Sequence, residues 1–100
     1  MNAYCFVDVL EVIDPDKLQK YREGVLATVQ QFGGRYLSVG GKCDVMEGSW
    51  RPAYPVLIEF PSLQQAHRWY DSKEYGDMKA LRLAATRCNL AFIEGAPFGD

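Results

Sequence analysis

The chain has 100 residues, a formal net charge of −2 and 48% hydrophobic residues, which suits one domain spanning residues 1–100 and excludes a disordered chain. That charge, with a pI near 5.3, excludes the basic face a nucleic-acid partner wants. The longest apolar runs are too short to cross a bilayer, so no membrane partner is expected.

Met1-Asn2-Ala3-Tyr4 lacks the basic start and apolar run of a secretion signal, and a cytoplasmic location is expected. Tyr4 to Ile13 alternates and is rich in Val and aromatics, which predicts a strand. Asp14-Pro15 supplies an N-cap and a proline for the first helical position. Leu18, Tyr21, Val25, Val29 and Phe32 follow at helical spacing until Gly33-Gly34 stops the helix. Arg35 to Val39 is a second strand, Gly40-Gly41 breaks or bulges it, and Cys43 to Glu47 is expected to resume an extended conformation. Tyr54 to Phe60 is the third main strand. Ser62-Leu63-Gln64-Gln65 is a capping box that opens a helix through Ala66, Trp69 and Tyr70. Asp71-Ser72-Lys73-Glu74 re-caps, Met78, Leu81 and Ala85 carry a second helical segment, and Cys88 to Glu94 closes as a fourth strand. The order β-α-β-β-α-β predicts an α+β, ferredoxin-like fold: four antiparallel strands with helices on one face.

Two helices cover only one face of such a sheet, yet the strands are apolar on both sides. Cys5, Val7 and Val9 point one way and Tyr4, Phe6 and Leu10 the other; Val56, Ile58 and Phe60 oppose Pro55 and Leu57; Leu90 and Phe92 oppose Ala91 and Ile93. A solvated antiparallel face reads polar, so a homodimer through the sheet face is expected. The arm Glu47-Gly48-Ser49-Trp50-Arg51-Pro52 carries an anchor-type aromatic. Packing of Trp50 against the second subunit is the leading expectation, ahead of local core packing and of a ligand lid.

Asp8 and Glu59 interrupt the apolar rows, on strands that neighbour each other at the centre of a ferredoxin-like sheet. Arg35, Arg51 and Arg82 are their candidate partners. One reading is a small-molecule pocket between sheet and helices. Glu59 would be the candidate acid or base, Arg35 or Arg82 the anion anchor, and Tyr36, Trp50 or Tyr4 the aromatic wall, with Asp8 a further ligand-binding candidate. The other reading is a non-catalytic dimeric structural or interaction module in which the carboxylates form ion pairs that set dimer register. His67, beside Ala66, Arg68 and Trp69, reads as a partly exposed surface residue ahead of a proton shuttle for the pocket. Cys5, Cys43 and Cys88 are odd in number and lack C-x-x-C spacing, which suits a reducing compartment, with Cys5 a core residue. No nucleophile–base pair, phosphate loop or metal cluster is legible, so neither metal nor cofactor is expected.

Ala3-Tyr4, Asp14-Pro15, Gly33-Gly34-Arg35-Tyr36, Glu47-Gly48 with Trp50 and Pro52, Glu59-Phe60-Pro61-Ser62, Ser72 with Glu74-Tyr75, Arg82 and Glu94-Gly95 together carry a resemblance. The chain resembles, over nearly its whole length, a short bacterial family classed as a domain of unknown function in the dimeric α/β-barrel superfamily. The resemblance implies a ferredoxin-like protomer whose sheet faces that of a second copy. Relatives in the wider superfamily are cofactor-free monooxygenases, isomerases or haem-handling enzymes, while the family itself has no settled activity. Arg35, Tyr36, Glu59 and Arg82 fall within the motifs that carry the resemblance; Cys5 and Asp8 sit where the pattern is permissive.

Overall fold

Each helix begins where a short polar side chain can take the first free backbone N–H groups. A computed structural model describes residues 1–98; the last two positions of the expected 1–100 domain lie outside the described residues. After β1 (Ala3–Val12), Asp14 Oδ1 accepts from the N–H groups of Asp16 (3.1 Å) and Lys17 (3.2 Å) and opens α1 (Pro15–Gln31). Gly33, at φ +79°, ends α1: its N–H donates to Gln30 O and that of Gly34 to Val29 O, a Schellman pair.

β2 (Arg35–Val39) and β3 (Pro55–Phe60) follow, then α2 (Leu63–Tyr70), α3 (Lys73–Ala85) and β4 (Thr86–Glu94). Ser62 Oγ accepts from Gln65 N–H at 3.0 Å and starts α2. Ser72 serves two helices at once: its hydroxyl donates to Trp69 O at the end of α2 and accepts from Tyr75 N–H at the start of α3. The strands form one sheet in the order β2-β3-β1-β4, and every neighbouring pair is antiparallel. This is the predicted ferredoxin-like βαββαβ topology, with the second helical crossover divided into α2 and α3.

One expectation fails. Cys43 to Glu47 forms no strand, and residues 40–54 cross from β2 to β3 without joining the ladder. The reason is Gly40, whose φ of +63° turns the chain off the edge of β2 while its N–H reaches Pro55 O at 2.7 Å. A Cβ at Gly40 would collide with the Tyr54 ring. The register irregularity of β2 comes earlier than the glycine pair, between Tyr36 and Ser38.

The core lies between the helices and one face of the sheet. Cys5, Val7, Ile58 and Phe60 meet Val25 and Val29 of α1, Ala66 and Trp69 of α2, and Tyr75 of α3. Trp69 is its centre. Its ring centroid lies 4.1 Å from that of Tyr75 and 5.3 Å from that of Phe60, and its Nε1 donates to Thr28 Oγ1 at 3.1 Å. α1 packs mainly on α3 and leaves a gap over β2 and β3. Among the described residues no helix covers the opposite face, where Tyr4, Phe6 and Leu57 are half-buried and Ala91 and Ile93 exposed.

Candidate functional site

The gap between α1 and the sheet is a cleft of about 660 Å³. Its walls are aliphatic, with Val7, Val9, Leu18, Val25, Val56 and Ile58 among them, and Leu26, Val39 and Tyr54 are partly exposed at its mouth. Tyr75, Arg82 and Ala85 are the buried residues of α3, spaced seven and three apart, so Arg82 occupies an inward-facing position that helical spacing normally gives to an apolar side chain.

Arg82 is 4% exposed. Its Nε donates to Tyr75 OH at 3.2 Å and its Nη1 to Cys88 Sγ at 2.8 Å. The Tyr75 hydroxyl in turn lies 3.0 Å from that of Tyr21 on α1. The ion pairs among the described residues are Arg35–Glu59, Lys42–Asp44 and Arg87–Glu11, so Arg82 has no carboxylate partner. Among the described residues no Asp or Glu lines the cleft. Burial works against the Arg82 charge, but the phenol oxygens of Tyr75 and Tyr21 and the Cys88 sulfur outweigh it, and the group stays a cation. Burial also raises the phenols of Tyr21, Tyr36 and Tyr75, which therefore remain neutral hydrogen-bond donors at physiological pH. Cys5 is pushed up to about 12 by burial, against the pull of Arg82, and stays a neutral thiol in the core. The cleft is thus apolar, with a positive end.

A second group of polar residues lies on the other face of the sheet. Arg35 Nε meets Glu59 Oε1 at 2.8 Å, Asn2 Nδ2 donates to Glu59 Oε2 at 3.2 Å, and Tyr4 stands directly opposite Glu59 on β1. The hydrogen bond from Arg35 is the largest cause holding the Glu59 carboxyl below its usual range; burial opposes it, and Asn2 and Tyr4 assist. A depressed native pKa contributes stability that is present in full above the unfolded-chain value of about 4.3 and is lost as pH falls through the native value. Glu59→Gln is therefore expected to lower the urea midpoint at pH 7, with the gap from wild type closing as the pH drops below about 4. A gap that keeps its full size well below that pH would exclude the ion pair as its source.

Asp8 acts on the backbone instead. Its Oδ1 accepts from the N–H groups of Ala53 and Tyr54, each at 2.9 Å, and pins the end of the 40–54 segment to β1. Trp50 lies over Phe6 with ring centroids 5.6 Å apart and remains 61% exposed. Arg51 closes the arm on itself by donating to Gly48 O and Trp50 O.

The residues expected to share one pocket therefore divide. Tyr36 and Arg82 border the cleft, whereas Tyr4, Asp8, Arg35, Trp50 and Glu59 lie on the far side of the sheet. Asp8 and Glu59 do share a face, but Glu59 pairs with Tyr4, which places Asp8 roughly 13 Å further along the strand. Tyr21 and Tyr75 join Arg82 without belonging to the residues that the sequence marks as site candidates. Their signal was a polar tip on each of two buried helical stripes. His67 is exposed, edge-on to Phe92. Among the described residues no three His, Cys, Asp or Glu side chains converge as a metal site, and no helix is long and apolar enough to cross a membrane.

Comparison with known proteins extends this picture. The structure is similar to that of a protein of unknown function from Rhodopseudomonas palustris, with a TM-score of 0.73 and 15% identity over 95% of this chain and 82% of that one. A dimeric ferredoxin-like protein of unknown function from Jannaschia sp. CCS1 gives a TM-score of 0.70 at 13% identity, over 95% of this chain and all of that one (100%). A protein from Nitrosomonas europaea proposed to be an antibiotic biosynthesis monooxygenase gives 0.56 at 10% identity, over 96% and 91% of the two chains. At these identities the likeness is one of fold. No functionally curated protein matches the sequence. Residues 2–96 match the family described as "Domain of unknown function (DUF1330)", and the chain belongs to that family.

Proposed function

We propose that the protein is a homodimer, joined through the open sheet face and the Glu47–Pro52 arm, and that each protomer binds a small organic molecule in the cleft between α1 and the sheet. The observation that carries the binding reading is a cleft of about 660 Å³ with aliphatic walls and one buried guanidinium, the size and make-up of small-molecule sites. The assembly reading is supported by the uncovered apolar face and by the dimeric Jannaschia neighbour. Cys5, Cys43 and Cys88 are free thiols, which fits a cytoplasmic protein. Binding requires no cofactor. A reaction in the cleft would rely on the Tyr21 and Tyr36 phenols and the Arg82 guanidinium, because Glu59 faces away from it.

A second reading, a non-catalytic dimeric module, is favoured by the carboxylates of the open face. Asp8 holds loop backbone, and Glu59 is engaged by Arg35 and Asn2. Native mass spectrometry of gently purified protein separates the readings. A dimer carrying a discrete small-molecule adduct is the expected result. A single-chain mass at micromolar concentration overturns the assembly reading, and a bare dimer favours the non-catalytic module.

A further inference from the structure

We infer that the cleft selects a carboxylate monoanion with an apolar body, an aryl or alkyl carboxylate, and that Arg82 receives the carboxylate. The inference rests on the cleft being a binding site and adds the chemical class of what it binds. A charge removed from water without a counter-ion costs several kcal/mol. Arg82, 4% exposed, has no acidic partner among the described residues. Tyr75 and Cys88 each engage one guanidinium N–H. Of the five donors on an arginine that leaves three, including both on Nη2, which donates to no protein acceptor among the described residues. Arg82 borders the cleft, so a carboxylate entering it meets a preorganised donor set, with the hydroxyl of Tyr21, itself linked to that of Tyr75 behind it, alongside.

The remaining features narrow the class. Arg22 stands exposed on the cleft lining and, with no acid there among the described residues, biases entry towards anions. One buried cation balances one negative charge, which suits a carboxylate better than a phosphate dianion. The walls around it are aliphatic and offer an apolar body contact but few hydrogen bonds. The Trp69 and Tyr36 rings add flat surface that suits an aromatic body.

The test uses two probes with the same ring system, 2-naphthoate and 2-naphthylmethanol, titrated into the full chain at pH 7 and followed by amide chemical shifts and calorimetry. The expected result is shifts at cleft residues such as Val9, Val25 and Tyr36, with naphthoate bound at least tenfold more tightly than the alcohol. In Arg82→Gln that preference should fall to within about threefold, because charge-assisted hydrogen bonds are the stronger class. Equal binding of both probes to wild type overturns the anion inference and leaves the cleft reading standing. The absence of shifts at cleft residues with either probe overturns both. A preference that survives Arg82→Gln but disappears in Arg22→Gln overturns the assignment to Arg82. Should Arg82→Gln fail to fold, the comparison of the two probes on wild type decides the anion inference, and Arg22→Gln decides the anchor.

Discussion

Replacing Trp69 with alanine is expected to destabilise the fold by about 3–5 kcal/mol, a large share of the ~5–15 kcal/mol that holds a typical domain together. Trp69 is 1% exposed and touches every layer of the core. Its ring lies 4.1 Å from Tyr75 of α3 and 5.3 Å from Phe60 of β3, centroid to centroid, while Nε1 donates to Thr28 of α1. Alanine would leave a cavity where three helices and the sheet meet. Thr28 would not be orphaned, because its hydroxyl also donates to Val25 O at 2.7 Å, so the loss is one of packing. Trp69→Phe keeps a ring and removes the indole N–H; it is expected to cost about 1–2 kcal/mol, the scale of one net hydrogen bond and a smaller side chain. The shift in urea midpoint measures both, at one fixed protein concentration because assembly makes apparent stability concentration-dependent. A loss below about 1 kcal/mol for Trp69→Ala would mean that α2 is not what keys the core.

The second large effect concerns assembly. Trp50→Ala is expected to weaken the proposed homodimer by about 30-fold or more, since an aromatic anchor buried on assembly contributes about 2 kcal/mol or more to an interface. Trp50 is 61% exposed in the protomer, yet it is not loose. It rests on Phe6, its arm is closed by Arg51, and the segment behind it is pinned by Asp8. A large aromatic resting on an apolar face that also exposes Ile93, at 65%, has the form of a preorganised contact. Ile93→Asp puts a charge on the same face, directly opposite Tyr4, and is expected to disrupt the dimer further. Sedimentation equilibrium across a dilution series reads both variants. Binding of 2-naphthoate should be unchanged in Trp50→Ala, because Trp50 does not border the cleft. If both variants dimerise as wild type does, the open sheet face is not the interface.

Much of this architecture was legible along the chain because it is settled within a few residues. Asp14, Ser62 and Ser72 cap helices by reaching N–H groups two or three positions away, and Gly33 ends α1 through its own positive φ. Strand parity is equally local. Side chains alternate with period two, so Cys5 and Val7 were separable from Tyr4 and Phe6 without knowing what lay on either side. The assignment of Cys43 to Glu47 failed because an extended segment becomes a strand only when a free edge is alongside, and Gly40 had already turned the chain away.

The candidate site was less legible for a related reason. Glu59, Arg35 and Arg82 have the same chemistry wherever they sit, and a carboxylate interrupting an apolar row beside candidate cationic partners was the ground for joining them in one pocket. Which face α1 and α3 cover depends on how the crossovers pass over the sheet, and that places Arg82 and Tyr36 on one side and Glu59 with Arg35 on the other. The Tyr21–Tyr75 contact joins hydroxyls 54 positions apart. Alternation, caps and turns are properties of neighbouring residues and can be read in order. The cleft is a volume that α1 leaves by packing on α3, and an unpaired buried charge is defined by what fails to surround it. Both exist only once distant segments have met.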